Sequence, residues 1–361
     1  MNYRQSVLMS PSDVGASGTK IIDLDFPDVI SRLTVVMNTT NPGSITIQEV
    51  PAANVPKIEI VDGSNVAFSL SGMQTHALDF FDTGRHYICG GSYVAAWGLV
   101  AVLVINFGRY LFDPVLALDP KKFTNLQLKV TYDEDAAVAS TDANSLTVMA
   151  DLFDEKAAAP TGFLMNKEIY NYTPVANATE EIDLPNDYPY RKLIIQARVP
   201  DLWFGGIIGN VKLTEDNDKR IPFDLTASLL ENWVHEFVGE YRDGIIADLN
   251  TDTGVDIYHA PTQGVKLRGD FYCESDVLNN IPFGYRNKYK TTTMSGYTVM
   301  DITGTMPHGC ICIPFGNQQD QADWYDVKGK VLKLKLKAGG SIGSSEEFHI
   351  IGQQMRTYAA A

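Results

Sequence analysis

The chain has 361 residues, of which 44 are acidic and 29 basic, for a formal net charge of −15. A chain this acidic, with no cluster of Lys and Arg to neutralise phosphates, is not read as a direct nucleic-acid binder. Its length suits two domains of ordinary size, each able to bury a core, and its 29 Gly and 17 Pro suit short strands joined by tight turns.

In chain order, the stretch "MNYRQSVLMSPSDVG" lacks the apolar core of a signal peptide, which points to a reducing cytoplasm. Residues 1–19 carry no strong period and are expected to form an N-terminal arm. An apolar run follows at "SRLTVVM", from Ser31 to Met37. Next, "KIEIVDGSNVAFSL" reads as two alternating strands around an Asp-Gly turn. Ser71 then stands as an N-cap with Gln74 three residues on, the pattern of a capping box. The uncharged run "YVAAWGLVAVLVINFG" from Tyr93 is too short to cross a bilayer comfortably and predicts a buried strand or strand pair, so any membrane contact is peripheral. "LQLKV" from Leu126 and "SLTVMADLF" from Ser145 complete the first half.

The second half repeats this order. "RKLIIQA" from Arg191 resembles "SRLTVVM", with Leu193 on Leu33. "IPFDLTASLLENWV" falls on "VAFSLSGMQTHALD" at a constant offset of 155 that puts Thr226 on Ser71, and the same offset puts Lys212-Leu213 on Lys57-Ile58. Leu225 and Leu230 are spaced as a hydrophobic staple around Thr226. "IPFG" from Ile313 matches "INFG" from Ile105 at an offset of 208, and "LKLKL" from Leu332 matches "LQLKV" at 206. The chain is therefore read as two tandem copies of one domain: an arm at 1–19, a first barrel at 20–155, a linker at 156–181 and a second barrel at 182–361. The rise in offset from 155 to 208 places an insertion at about 240–304, rich in Tyr, Asn and Asp, either an outward-facing contact surface or a packed elaboration of the barrel. Lys333, Lys335 and Lys337 alternate with apolar residues, as on the wet face of a strand.

Candidate chemistry is sparse. Within the insertion, Asp248, Asn250, Asp252 and Asp256 have spacings like those of a calcium loop, but Gly254 comes one place late and His259 stands where a bidentate Glu belongs, which favours a solvated Asx-rich turn. Cys89, Cys273, Cys310 and Cys312 lack metal-ligand spacing and are expected as buried thiols. His76, His86, His235, His259, His308 and His349 are scattered, and no zinc-protease helix, nucleophile elbow or P-loop occurs. His308 with Cys310 and Cys312 is the best nucleophile or metal cluster, and a core strand explains these residues better. No catalytic residue, metal or cofactor is assigned.

Many short strands with one capped helix per half predict an all-β fold of two tandem eight-stranded jelly-roll barrels rather than α/β layers. The repeated strand, hairpin, strand and helix, "KIEIVDGSNVAFSLSGMQTHALDFF" and "NVKLTEDNDKRIPFDLTASLLENWV", resembles the double jelly-roll major capsid proteins of tailless icosahedral viruses, most of all those of small bacteriophages with an internal membrane. The resemblance covers both halves and rests on pattern. It implies two upright barrels per chain, homotrimers forming pseudo-hexagonal capsomers of an icosahedral virion, and insertions that rise as towers. It also implies neighbouring capsomers and minor capsid or penton proteins as partners, peripheral contact with an internal membrane, and assembly in the host cytoplasm. The alternative is a tandem β-sandwich that binds or cleaves glycans, with Trp97, Trp203, Trp233 and Trp324 as stacking candidates.

Overall fold

The computed structural model describes residues 2–41, 47–86, 91–138, 144–200, 202–247, 255–269, 284–289, 298–343 and 346–358. The first half contains β1 (Tyr3–Asp13), β2 (Ser17–Asp23), β3 (Ile30–Thr40), β4 (Lys57–Asp62), β5 (Asn65–Leu70), α1 (Gly72–Thr83), β6 (Gly91–Tyr93), β7 (Gly98–Asn106), β8 (Leu126–Asp133) and β9 (Asn144–Phe153). The second contains β10 (Gly162–Tyr172), β11 (Thr179–Leu184), β12 (Tyr190–Ala197), α2 (Phe204–Ile207), β13 (Ile208–Glu215), β14 (Arg220–Thr226) and α3 (Ala227–His235). It continues with β15 (Tyr241–Ala247), β16 (Val255–Tyr258), β17 (Gln263–Gly269), β18 (Arg286–Tyr289), β19 (Thr298–Thr305), β20 (Cys310–Pro314), β21 (Leu332–Ala338) and β22 (Phe348–Thr357).

Each half is a jelly roll of two four-stranded faces. The orders β1-β9-β3-β7 and β2-β8-β4-β5 in the first are matched strand for strand by β10-β22-β12-β20 and β11-β21-β13-β14 in the second. Alternation drives these strands: in β8 every second residue from Leu126 is buried, and in β21 Leu332, Leu334 and Leu336 point inward while Lys333, Lys335 and Lys337 lie on the wetter face. Two main apolar clusters result, one around Leu33, Leu103, Leu128 and Val148, the other around Leu193, Leu213, Leu230 and Leu334.

The duplication extends to irregularities. The ladder of β1 with β9 slips after Val7, and that of β10 with β22 slips after Glu168. The ladder of β3 with β9 slips between Ile30 and Arg32, and that of β12 with β22 between Tyr190 and Lys192. Bulges bend and twist a strand, so placing them alike gives both barrels the same curvature.

The structure corrects two boundaries and one alignment. Residues 1–19 are not an arm: Tyr3–Asp13 is paired with β9 from Tyr3↔Phe153 to Asp13↔Ser145, and β2 begins at Ser17. An edge strand is paired on one side only, and two bulges break its period, so it does not alternate cleanly. The segment 156–181 is not a linker either, since it contains all of β10 and the start of β11. The first half of β10 is buried at every residue, which erases the alternation expected of a strand with one wet face. Finally, Ile58 pairs with Leu70 and Val130 while Val211 pairs with Leu225 and Leu336. Ile58 therefore corresponds to Val211, not Leu213. The second hairpin is longer by two residues, with Asp216, Asn217 and Asp218 all at positive φ where the first turn uses Gly63. A shift of two preserves which face is buried, which is why the pattern alone could not detect it.

The capping box is present. Ser71 Oγ accepts from Gln74 N at 3.2 Å, Gln74 Oε1 accepts from Ser71 N at 2.9 Å, and Gly84 at φ 66° ends α1. Thr226 occupies the corresponding position in front of α3 but makes no side-chain cap. Gly72 opens α1 under the turn Pro51–Asn54, where an added Cβ would lie 2.3 Å from the Ala52 carbonyl oxygen; the second copy has Ala227 there. Gly72→Ala is expected to destabilise the fold by about 1–3 kcal/mol, measured by denaturant unfolding.

Candidate functional site

The feature that distinguishes this fold from two independent barrels is the junction between them. The edge strand β5 pairs in parallel with β10, Phe68 opposite Asn166 and Ser69 opposite Lys167, so two four-stranded faces become one eight-stranded sheet. Helix α1 lies beside this seam. Every residue from Gln74 to Phe80 is buried, and Leu78 joins a cluster that includes Ile194, Cys310, Cys312 and Ile351 of the second barrel. A buried helix must satisfy its polar side chains within the protein.

Those side chains form three links. Gln74, while capping its own helix, donates through Nε2 to Gln196 Oε1 at 3.0 Å and to Glu168 Oε2 at 2.9 Å. Burial pushes the Glu168 carboxyl up, but donors on His349 and Gln74 outweigh it and hold Glu168 below the usual range. Two residues on, His76 Nδ1 lies 2.7 Å from His308 Nε2, and Tyr241 Oη lies 2.9 Å from His76 Nε2, so one imidazole connects the first barrel, the insertion and the second barrel. Burial first, then the neighbouring His76 and Arg198, hold His308 well below its ordinary pKa, so the His308 imidazole is neutral. Third, Asp82 Oδ1 accepts from Arg191 Nη1 and from Lys192 Nζ, each at 2.6 Å, and its Oδ2 accepts from Gln353 Nε2 at 3.0 Å. The side chains of Asp82, Arg191 and Lys192 are 3%, 1% and 3% exposed, so solvent screens this group very little. Burial pushes Asp82 up, but Lys192 and then Arg191 reverse it and keep the carboxylate charged.

The insertion is tied into the same junction. Strands β17-β19-β15 form a sheet that continues into β6 of the first half, with Ile245, Ile246 and Ala247 paired in parallel with Gly91, Ser92 and Tyr93. Tyr93 is fully buried, and its hydroxyl accepts from Tyr258 N at 2.6 Å. Arg198 holds Glu49 through two bonds of 2.5 and 2.6 Å and stacks over the Tyr285 ring at 3.5 Å, again joining all three parts. Of the two readings of the insertion, its described part is a packed one.

The remaining sequence candidates do not converge. Asp248, Asn250 and Asp252 lie outside the described residues; Asp256 is half-buried in β16, and the Nδ1 of His259 is 2.6 Å from the Pro261 carbonyl. No group of three metal-ligating side chains occurs among the described residues. Cys310 and Cys312 are buried free thiols of β20, with Cys312 pushed up to about 11 by burial; Cys89 and Cys273 lie outside the described residues. Trp324 is buried, Trp233 is half-buried between Phe223 and Phe237, and Trp97 and Trp203 are exposed. The polar junction was not read from the sequence. Its signal was there: Arg191 and Lys192 are adjacent cations on a strand buried at every residue, and Asp82 falls where the second copy has Phe237.

No family model and no curated protein matches the sequence. Solved structures do match. The fold is similar to the major capsid protein of Sulfolobus Turreted Icosahedral Virus, at 10% identity and TM-score 0.60 over 99% of both chains. It is also similar to the major capsid protein P2 of bacteriophage PM2, at 12% identity and TM-score 0.56 over 99% of this chain and 100% of that one. The capsid of PBCV-1 virus matches at 11% identity and TM-score 0.56, over 98% of this chain and 94% of that one. The fold is the double jelly roll of these capsid proteins.

Two predictions follow from the junction. Asp82→Ala leaves Arg191 and Lys192 buried without their anion and is expected to cost about 3–5 kcal/mol, whereas Asp183→Asn, 84% exposed, should shift the melting midpoint little. Burial alone pushes Glu231 on α3 up to about 7 from 4.5, and its Oε1 has no hydrogen-bond partner. The folded state therefore holds a proton there that the unfolded state releases. The group's stability contribution is complete below 4.5 and is lost as pH rises through 7. Glu231→Gln should be more stable than the parent at pH 8, with the difference closing toward pH 4.5 in melts at both pH values.

Proposed function

We propose that this chain is a viral major capsid protein whose homotrimers form pseudo-hexagonal capsomers tiling an icosahedral shell. The carrying observation is the pair of matching barrels joined through one eight-stranded sheet. Three chains with two like barrels each supply six, so a threefold assembly fits a nearly sixfold lattice position. The resemblance to capsid proteins over nearly the whole chain supports the same reading. The role is structural and non-catalytic. In the virion the capsomers meet one another and minor or penton proteins, over an internal membrane touched only peripherally, after assembly in the host cytoplasm. The net charge of −15 agrees with a shell that does not contact the genome directly. Among the described residues no helix is long and apolar enough to cross a membrane.

Native mass spectrometry and negative-stain imaging test the proposal together. Particles of three times the 39.8 kDa chain mass with a pseudo-hexagonal outline are expected. A chain that stays monomeric at every concentration would overturn it.

A further inference from the structure

The first barrel shows what covers a β5-type edge and its helix: the second barrel does. In α1 the face turned to that neighbour carries Gln74, Leu78 and Asp82, all with buried side chains. The offset of 155 places Leu229, Trp233 and Phe237 at the same positions of the second copy, on α3 and just after it. Among the described residues, no second barrel covers them. Leu229 is 56% and Phe237 60% exposed, Trp233 is half-buried, and with Ile221, Phe223 and Phe315 they form an apolar surface along β14, itself a sheet edge.

The receiving surface is duplicated too. β10 meets β5 through Asn166 and Lys167, and Glu168 accepts from Gln74. The matched bulges after Val7 and Glu168 align Gln5, Ser6 and Val7 of β1 with these three residues. β1 is likewise a sheet edge, and Val7 is 56% exposed. Where the junction within the chain has the polar pair Gln74 and Glu168, the unfilled copy offers the apolar pair Leu229 and Val7. Where the junction has Asp82 against Arg191 and Lys192, the unfilled copy offers Phe237, and the residues aligned with those cations are Ser31 and Arg32. Arg32 is already neutralised by Asp151 at 2.7 Å. Both halves of the unfilled junction have changed together, from charged and polar to apolar and neutral.

We propose that β14 and α3 dock on the β1 edge of a second copy of this chain, repeating between chains the junction that β5 and α1 make with β10 within it. Phe223 and Asp224 then lie opposite Gln5 and Ser6, with Leu229 against Val7. The contact is head-to-tail, and six barrels from three chains close it into a ring. The inference rests on the trimeric reading and names its contact.

The test combines cross-linking with dissociation. The double variant Val7→Cys with Leu229→Cys, oxidised and run on a denaturing gel without reductant, should give covalent dimers and trimers that neither single variant gives. Leu229→Asp with Phe237→Asp should weaken assembly by about thirtyfold or more, as loss of an interface hot spot does. Its melting as a monomer should stay intact, because both side chains are exposed within the chain, and Val175→Asp, 70% exposed in the loop between β10 and β11, should leave assembly unchanged. A parent trimer that neither cross-links through this pair nor responds to the aspartates overturns the assigned contact while leaving the trimer standing. A parent chain that is monomeric throughout overturns both.

Discussion

The two barrels behave as one body because α1 has no wet side. A helix on a barrel surface ordinarily keeps its polar residues in water; here residues 74–80 are all buried, so each polar group needs an internal partner. Thr75 bonds back to the Ser71 carbonyl at 2.7 Å, and Asp79 takes Asn106 at 2.6 Å within the first barrel. Burial is the dominant influence on Asp79, pushing it up to about 7 despite that donor. Gln74, His76 and Asp82 find their partners in the second barrel or the insertion, and so fix one relative position of the parts.

Stability and specificity have different sources at this seam. The parallel ladder is only two residue pairs long, too short to hold two barrels by hydrogen bonds alone. Burial in the apolar cluster that Leu78 shares with Ile194, Cys312 and Ile351 supplies the favourable term. The cluster of Asp82, Arg191 and Lys192 adds little net stability over an apolar replacement, since its desolvation offsets its Coulomb gain. Its effect lies in what it forbids. Sliding or rotating one barrel by a strand spacing would separate these charges while they stay buried, a cost that an apolar seam would not impose.

The doubling was legible because alternation and element order survive divergence: the two hairpins, the helix starts after Ser71 and Thr226, and the Lys333 series recur in the order the pattern gives. What the sequence concealed has physical causes. β1 is an edge strand with two bulges and the first half of β10 is buried at every residue, so neither presents the period of two that identifies a half-buried strand. The hairpin difference of two residues conserves facing and is silent in the pattern. The His76 and His308 contact joins residues 232 apart in the chain, and no local spacing announces it. The insertion looked like a long loop because its strands pair with one another across long sequence gaps, β15 with β19, and one of them also with β6 of the other copy.

That shared sheet explains why the insertion lies between α3 and β20 rather than elsewhere. The matching connection of the first copy, between α1 and β7, supplies β6, so the two helix-to-strand connections meet at one end of the molecule and build a third apolar cluster around Tyr93, Ile245, Met300 and Ile302. Tyr241, Glu49 and Arg198 then carry this cluster's position down to the barrels. A lengthened connection in only one copy is sufficient, because a sheet needs a few strands and a single partner from the other side. Growth of one copy thereby reinforces the seam between both, and the asymmetry of the halves is part of what holds them together.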